Sequence, residues 1–328
     1  VSVPLAVVSG ASGFVGSHIV DELIRQGARV RCLVRSTSSR RWLDGKPVEL
    51  ATADLGDIPR LTETVRGATW IVHAAGLTRA RSAAEFNAAN VGGTEAMLRA
   101  ALEAGPGLTR FLYVSSQAAA GPSGDGRPVT EEQRPEPISA YGLSKLRAER
   151  LALLMRGRLP VVVLRPPTVY GPRDGAVRRY FVAAKRHLRP ELRRGARFSV
   201  VYAEDLARAV RVVLTDDRAL GEVFFVAGPD ETDYTEMGTL VARAVGTWTV
   251  PVRPPRWLLY AGAVAGELVG SLSRRPPLLS REKVREITAG DWICSSARIR
   301  GRLDWEPEVA LAEGVERTAR WYREARWL

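Results

Sequence analysis

Apolar and polar positions along the first half of the chain follow two alternating rhythms. Short apolar runs at residues 5–8, 29–34, 48–53, 69–73, 110–115 and 161–164 predict strands, and their lack of alternation predicts burial on both faces. Between them, stretches with helical spacing cover residues 14–26, 58–65, 83–103 and 140–155. Strands alternating with helices imply right-handed crossovers and a parallel sheet, so the expected class is α/β, a doubly wound Rossmann sheet. Beyond Leu164 the rhythm loosens into Pro- and Arg-rich segments, then returns with a helix at 203–214 and a strand at 223–226. The expectation is a discontinuous architecture: a dinucleotide-binding domain from residues 1–166 and 201–228, and a smaller C-terminal substrate cap from 167–200 and 229–328. No internal repeat or low-complexity linker interrupts the pattern.

Composition narrows this picture only a little. With 328 residues the chain can bury a large core, and 45% apolar with 26% charged residues is ordinary for a globular protein. The net charge of +12 is carried almost wholly by arginine, since lysine occurs only at Lys46, Lys145, Lys185 and Lys283. These charges are scattered rather than interleaved with aromatics in one patch, so no nucleic-acid partner is expected. Cys32 and Cys294 are too few for a disulfide framework, and Cys32 falls in a predicted strand, which fits a reducing, cytoplasmic setting. His18, His73 and His187 show no metal-ligand spacing, and no metal is expected. No signal-peptide pattern opens the chain, and no apolar run reaches the roughly 18 residues of a membrane span. The nearest approach, residues 257–266, stops at Glu267 and is followed by Arg274-Arg275. It reads as a buried or interface helix, compatible with peripheral membrane contact.

Two motifs carry chemistry. After the first apolar run comes Ser9-Gly10-Ala11-Ser12-Gly13-Phe14-Val15-Gly16, which then opens a helix. That strand, turn and helix context is what a dinucleotide fingerprint requires. Gly10 allows the tight turn, Gly13 lets the backbone approach a pyrophosphate, and Gly16 lets helix and strand pack closely, while the helix N-terminus offers N–H groups to the anion. The second motif is Ser139-Ala140-Tyr141-Gly142-Leu143-Ser144-Lys145. Residues four apart share a helix face, so the Lys145 ammonium is expected beneath the Tyr141 phenol, lowering its pKa and making it an acid/base near neutral pH.

With Asp54-Leu55, His73-Ala74-Ala75-Gly76, Asn90-Val91-Gly92-Gly93-Thr94, Tyr113-Val114-Ser115-Ser116 and Arg165-Pro166-Pro167-Thr168-Val169-Tyr170-Gly171-Pro172 also in order, nearly the whole chain resembles the extended short-chain dehydrogenase/reductases. That family also contains the nucleotide-sugar epimerases and dehydratases. The resemblance implies that Tyr141 is the acid/base, that Lys145 tunes it and binds the nicotinamide ribose, that Ser116 orients the substrate oxygen, and that Asn90 supports the site. It implies adenine binding by Asp54 and passage of Ala74, Ala75 and Gly76 over the pyrophosphate and ribose. Ser12, Phe14, Val15, Leu55, Val114, Pro166 and Val169 would line the cofactor, and Thr78, Gln117 and Thr168 the substrate. It also implies a homodimer through the helices at 83–103 and 140–155.

At the end of the second strand, where NAD-preferring members of such folds carry a carboxylate, this chain has Val34, followed by Arg35 and, further on, Arg40 and Arg41. Guanidinium groups suit a 2′-phosphate, and the run from Val30 to Arg35 resembles that of dihydroflavonol and cinnamoyl reductases. NADP(H) is therefore favoured, with NAD(H) as the alternative. Sugar-nucleotide members place an asparagine where Thr168 stands and an arginine where Phe198 stands, with Arg197 one register step away. These absences, the apolar stretch at 257–272 and the tail Trp305-Glu306-Pro307 resemble the 3β-hydroxysteroid dehydrogenase-like and dihydroflavonol reductase-like branches. The implied substrate is a small hydrophobic alcohol or ketone of bulky, steroid-, flavonoid- or terpenoid-like shape. A nucleotide-sugar epimerase with tightly held NAD and a non-catalytic nucleotide-binding subunit are the rival readings.

Overall fold

The apolar runs form Leu5–Ser9 (β1), Arg29–Val34 (β2), Val48–Thr52 (β3), Trp70–His73 (β4), Arg110–Val114 (β5) and Val161–Arg165 (β6) in the computed structural model, which describes residues 3–273, 276–277 and 279–328. The helices between them are Phe14–Arg25 (α1), Ile58–Val65 (α2), Ala83–Phe86 (α3), Gly93–Leu102 (α4) and Ala140–Leu154 (α5). The single helix expected over 83–103 is interrupted by a π-helical turn at Asn87–Gly92, which binary patterning does not reveal. Ser82, Asp57 and Ser139 cap their helices by accepting from the backbone N–H three residues on, whereas α1 begins at Gly13 with no side-chain cap.

The second half adds Thr168–Tyr170 (β7), Arg178–Lys185 (α6), Leu188–Pro190 (β8), Arg197–Tyr202 (β9), Ala203–Thr215 (α7), Val223–Phe225 (β10), Glu231–Asp233 (β11), Tyr234–Val245 (α8), Val250–Val252 (β12), Arg256–Ser273 (α9), Arg281–Thr288 (α10), Ala297–Leu303 (α11) and Leu311–Glu324 (α12). The main sheet has seven strands in the order β10-β6-β5-β4-β1-β2-β3, all parallel. Successive residues of one strand feed opposite faces. Ala6 and Val8 pack with Ile19, Leu23 and Val210 on one side, while Val7 packs with Ile71, Phe111 and Met97 on the other. The strand order reverses between β1 and β4, and a crevice at their carboxyl ends is where such sheets hold ligands.

Two small sheets, β11-β9-β7 and β12-β8, flank this body, and α6, α8 and α12 close a third core around Tyr170, Phe181 and Tyr322. Cys32 and Cys294 are free and buried, and burial pushes the Cys32 thiol up to about 12. The stretch at 257–266 is helical as its pattern implies, with one face packed and the other exposed. Leu259 and Ala263 face α10, while Trp257, Leu258 and Val264 stand in solvent. Arg274 and Arg275 lie outside the described residues. No helix among the described residues is long and apolar enough to cross a membrane, and no group of three His, Cys, Asp or Glu among them is placed to hold a metal ion.

Candidate active site

At the carboxyl end of β1 the chain turns through Gly10, whose φ of +71° lies in the left-handed region that favours glycine. A Cβ there would also lie 2.8 Å from the backbone of Ala74 and Ala75, so the turn nests against the loop leaving β4. Gly16 is tighter still, since its Cβ would stand 2.1 Å from the Gly10 carbonyl oxygen. Ser12 lies half-buried in the turn, and Phe14 and Val15 begin α1, with Phe14 edge-on to His18 at 5.6 Å. The result is a helix N-terminus without a side-chain cap, reached over backbone with no Cβ in the way. That donor set fits a dinucleotide pyrophosphate.

Past β2, Val34 is buried and Arg35 is exposed, its backbone closing a turn with Ser38. Among the described residues the Arg35 guanidinium meets no partner. Arg41 is held differently: its guanidinium lies 4.3 Å from the Trp42 ring centroid and 5.2 Å from that of Trp327, next to the C-terminus. Asp54 is exposed past β3, and Leu55 rests on Gly93 of α4.

The loop after β4 is pinned by Asn90, which the π turn buries. Asn90 Oδ1 accepts from Leu77 N–H at 2.7 Å, and its Nδ2 donates to the Leu77 carbonyl and, at 2.8 Å, to Ser144 Oγ. A Cβ on Gly76 would lie 2.8 Å from Asn90 Oδ1 and 3.9 Å from Lys145 Nζ, so this loop needs glycine to pass between them. Beneath it, Thr94 donates to the Asn90 carbonyl at 2.6 Å and lies 3.1 Å from His73 Nε2. Ser9 Oγ lies 2.7 Å from His73 Nδ1 and accepts from Ala75 N–H. Since the Thr94 proton goes to Asn90, His73 must donate through Nε2 and accept at Nδ1 from Ser9. Burial, followed by the charge of Lys145, holds His73 down to about 3, so this chain runs through a neutral imidazole.

Tyr141 and Lys145 lie on one face of α5, as their spacing requires, but the expected lowering of the phenol by Lys145 is not found. The phenol is pushed up to about 12 rather than down: burial is the largest cause, the Ser116 hydroxyl opposes it, and Glu286 adds to it. Lys145 is not the group that sets it. Its Nζ donates to the Val114 carbonyl at 2.6 Å and lies 4.4 Å from the Tyr113 ring centroid. Burial lowers its pKa to about 7 against the pull of Glu149, so the cation is weakened near neutral pH. Ser116, at the end of β5, accepts from Ala118 N–H and faces Tyr141, whereas Ser115 donates to Glu149.

The fold and these motifs agree with what other proteins show. The profile of the NAD dependent epimerase/dehydratase family matches residues 6–227. The chain belongs to that family. It is 32% identical over 328 residues, 99% of this chain and 96% of the relative, to a ceramide reductase of Caulobacter vibrioides. It is 29% identical, over 94% of each chain, to the 4-hydroxy-2-methyl-3-oxo-4-farnesyl-3,4-dihydroquinoline-1-oxide ketoreductase of Stigmatella aurantiaca. Among solved structures it is similar to gox2253, with a TM-score of 0.82 and 27% identity over 98% of both chains. As a member of this NAD(P)-dependent family the chain is an enzyme of the extended short-chain type.

Several features of this family member were not visible in spacing. Glu149 forms a buried pair with Arg165, Nη2 to Oε1 at 2.5 Å, and so clamps the end of β6 to α5. Glu149 lies four residues beyond Lys145, which was the one signal for it. From α10, Glu282 accepts from Ala140 N–H at 3.2 Å, Arg285 donates to the Ile138 carbonyl, and Glu286 faces Tyr141. No motif announced these residues. Gln117 is buried beside Ser116, its backbone N–H donating to Pro166, and its Nε2 has no partner. Val169 packs half-buried on the core, while Thr78 and Thr168 are exposed. Among the described residues no hydrogen bond ties Thr78 or Thr168 to Tyr141. Arg197 is held by Asp291 at 3.2 Å and Glu231 at 3.1 Å, and Phe198 packs on Tyr234.

Proposed function

We propose that the chain is an NADP(H)-dependent oxidoreductase that interconverts a bulky hydrophobic ketone and its alcohol, with Tyr141 as the acid/base. The observation that carries this reading is the half-buried phenol of Tyr141 beside the Ser116 hydroxyl. A phenol keeps its proton at neutral pH and can pass it to the oxygen of a carbonyl undergoing reduction; burial pushes its pKa up and makes it a weaker acid, and the Ser116 hydroxyl opposes that rise. Ser116 would position the substrate oxygen, and the free Gln117 Nε2 is a second donor within the same short helical turn. Residues 1–166 and 201–228 would carry the cofactor and residues 167–200 and 229–328 the substrate.

The N-terminus of α1 with Gly10, Gly13 and Gly16 would hold the pyrophosphate, Arg35 the 2′-phosphate, Asp54 the adenine, and Lys145 with Asn90 the nicotinamide end. When bound, the nicotinamide supplies or takes the hydride. A hydrophobic substrate is supported by the two relatives, which are named for a ceramide and a farnesyl-bearing quinoline. A sugar diphosphate is disfavoured because Phe198 replaces the expected arginine and Arg197 is engaged by two carboxylates. Incubation with NADPH or NADH and either long-chain and polycyclic ketones or UDP-glucose tests the reading. NADPH consumption with the apolar ketones alone is expected. Conversion of UDP-glucose without net cofactor consumption would replace this reading with the epimerase one.

A further inference from the structure

Helix α9 presents a face to solvent that a soluble surface does not need. On a helical wheel Trp257, Leu258, Ala261, Val264, Ala265 and Val269 fall on one contiguous arc, and all are exposed: Trp257 by 70%, Leu258 by 47%, Val264 by 42% and Val269 by 64%. The opposite arc, with Leu259 and Ala263, packs on Val284 of α10. The helix is about 27 Å long, and its only charged residues, Arg256 and Glu267, lie off the apolar arc. Glu267 is neutralised by Arg281 at 2.8 Å.

The flanking surface is basic as well as apolar. Just before α9, Trp248 is 66% exposed and stacks on His187, and Val250 and Val252 of β12 are exposed beside Leu188 of β8. Residues 247–266 contain Arg253 and Arg256 and no acidic residue, and Lys185 and Arg186 stand exposed before β8. The acidic group near this ribbon, Glu191, is buried and already paired with Arg189 and Arg253.

We propose that α9 and the β8–β12 ribbon form a docking surface for an anionic lipid bilayer, with the apolar arc seated at the acyl boundary and the cations among the headgroups. Amphipathic helices with an aromatic anchor and flanking cations bind interfaces in this way. Charge complementarity selects this occupant over a second copy of the chain, because a two-fold contact would set each basic patch against its own image. The surface also lies close to the chemistry: α9 packs on α10, and α10 borders a cleft of about 450 Å³ with Ile138, Ala140 and Leu143 at the start of α5. Docking stands on the surface alone, and only the short route from bilayer to Tyr141 rests on the hydrophobic-substrate reading.

Vesicle flotation of the full chain tests the docking without any substrate. Wild type should float with phosphatidylcholine vesicles containing about one-third phosphatidylglycerol and much less with phosphatidylcholine alone. The combined variant Trp257→Ser, Val264→Asp, Val269→Asp should lose at least about tenfold of that binding. Arg186→Glu with Arg256→Glu should abolish the preference for anionic vesicles. All three positions of the first variant are exposed, so its melting temperature and elution volume should match wild type. The proposal is overturned if wild type does not float, or if the triple variant floats equally well. It is also overturned if wild type elutes as a dimer that the triple variant splits while neither binds vesicles, which would make the face an interface between copies.

Discussion

Arg35, Arg40 and Arg41 share one exposed loop, and Arg35 stands directly after β2. Arg41 lies over the Trp42 ring and near that of Trp327, which holds the loop against the end of α12 and leaves the guanidinium edge able to donate, so Arg40 and Arg41 both stand within loop reach of the same phosphate. Arg35→Asp should lower the NADP/NAD preference by at least about tenfold, since a hydrogen bond to a charged group contributes about 1.5–3 kcal/mol, and the triple substitution of Arg35, Arg40 and Arg41 should lower it further. Calorimetric titration of both cofactors reads this directly, and an unchanged preference would make Arg35 ordinary solvated surface. At this scale spacing within one element points to Tyr141, Lys145 and the glycines, whereas Ser116 and Asn90 are pointed to by the family resemblance alone, since they lie on other elements far from Tyr141 in the chain. The titration of Tyr141 and Lys145 was not legible. It depends on burial, on Glu149 beside Lys145, and on Glu286, which is far away in the chain but faces Tyr141.

The turn between β1 and α1 is the element with the least room. Gly16→Ala would drive a methyl into the Gly10 carbonyl, and that carbonyl cannot retreat because Gly10 already abuts Ala74 and Ala75. Overpacking of this kind costs about 1–3 kcal/mol. Urea unfolding should show that loss, and cofactor affinity should fall by at least about tenfold as the start of α1 shifts; wild-type affinity would contradict the assignment of this turn to the pyrophosphate. The periodicity predicted α1, α2 and α5 almost to the residue, since each has a cap or an apolar stripe. It did not predict the π turn, whose extra residue per turn swings Asn90 onto Leu77 and leaves the hydrophobic pattern unchanged. Strands β7, β8, β11 and β12 were missed because three residues among arginines and prolines give no period to read.

Across the whole molecule, the parallel sheet follows from strands alternating with helices, whereas the sequence leaves α9 as a buried or interface helix, and the structure packs one face of it on α10 and exposes the other. Hydrophobicity alone does not say what covers a helix. Two buried histidines make the fold sensitive to acid. An unfolded imidazole takes its proton near pH 6.5, but burial holds His73 down to about 3 and His18 to about 4. Between those values the unfolded chain binds more protons, so stability falls as pH falls, by up to about 1.4 kcal/mol per pH unit for each histidine. His73→Gln should flatten that decline between about pH 6 and pH 4, as measured by urea unfolding against wild type; an identical slope would mean that His73 is protonated in the fold. The central claim is that Tyr141 delivers the proton to a ketone oxygen. Single-turnover reduction of an apolar ketone by NADPH-loaded wild type and Tyr141→Phe tests it most directly. The account predicts equal NADPH affinity and a rate at least about 10²-fold lower in the variant, whereas a rate within about threefold of wild type would contradict it.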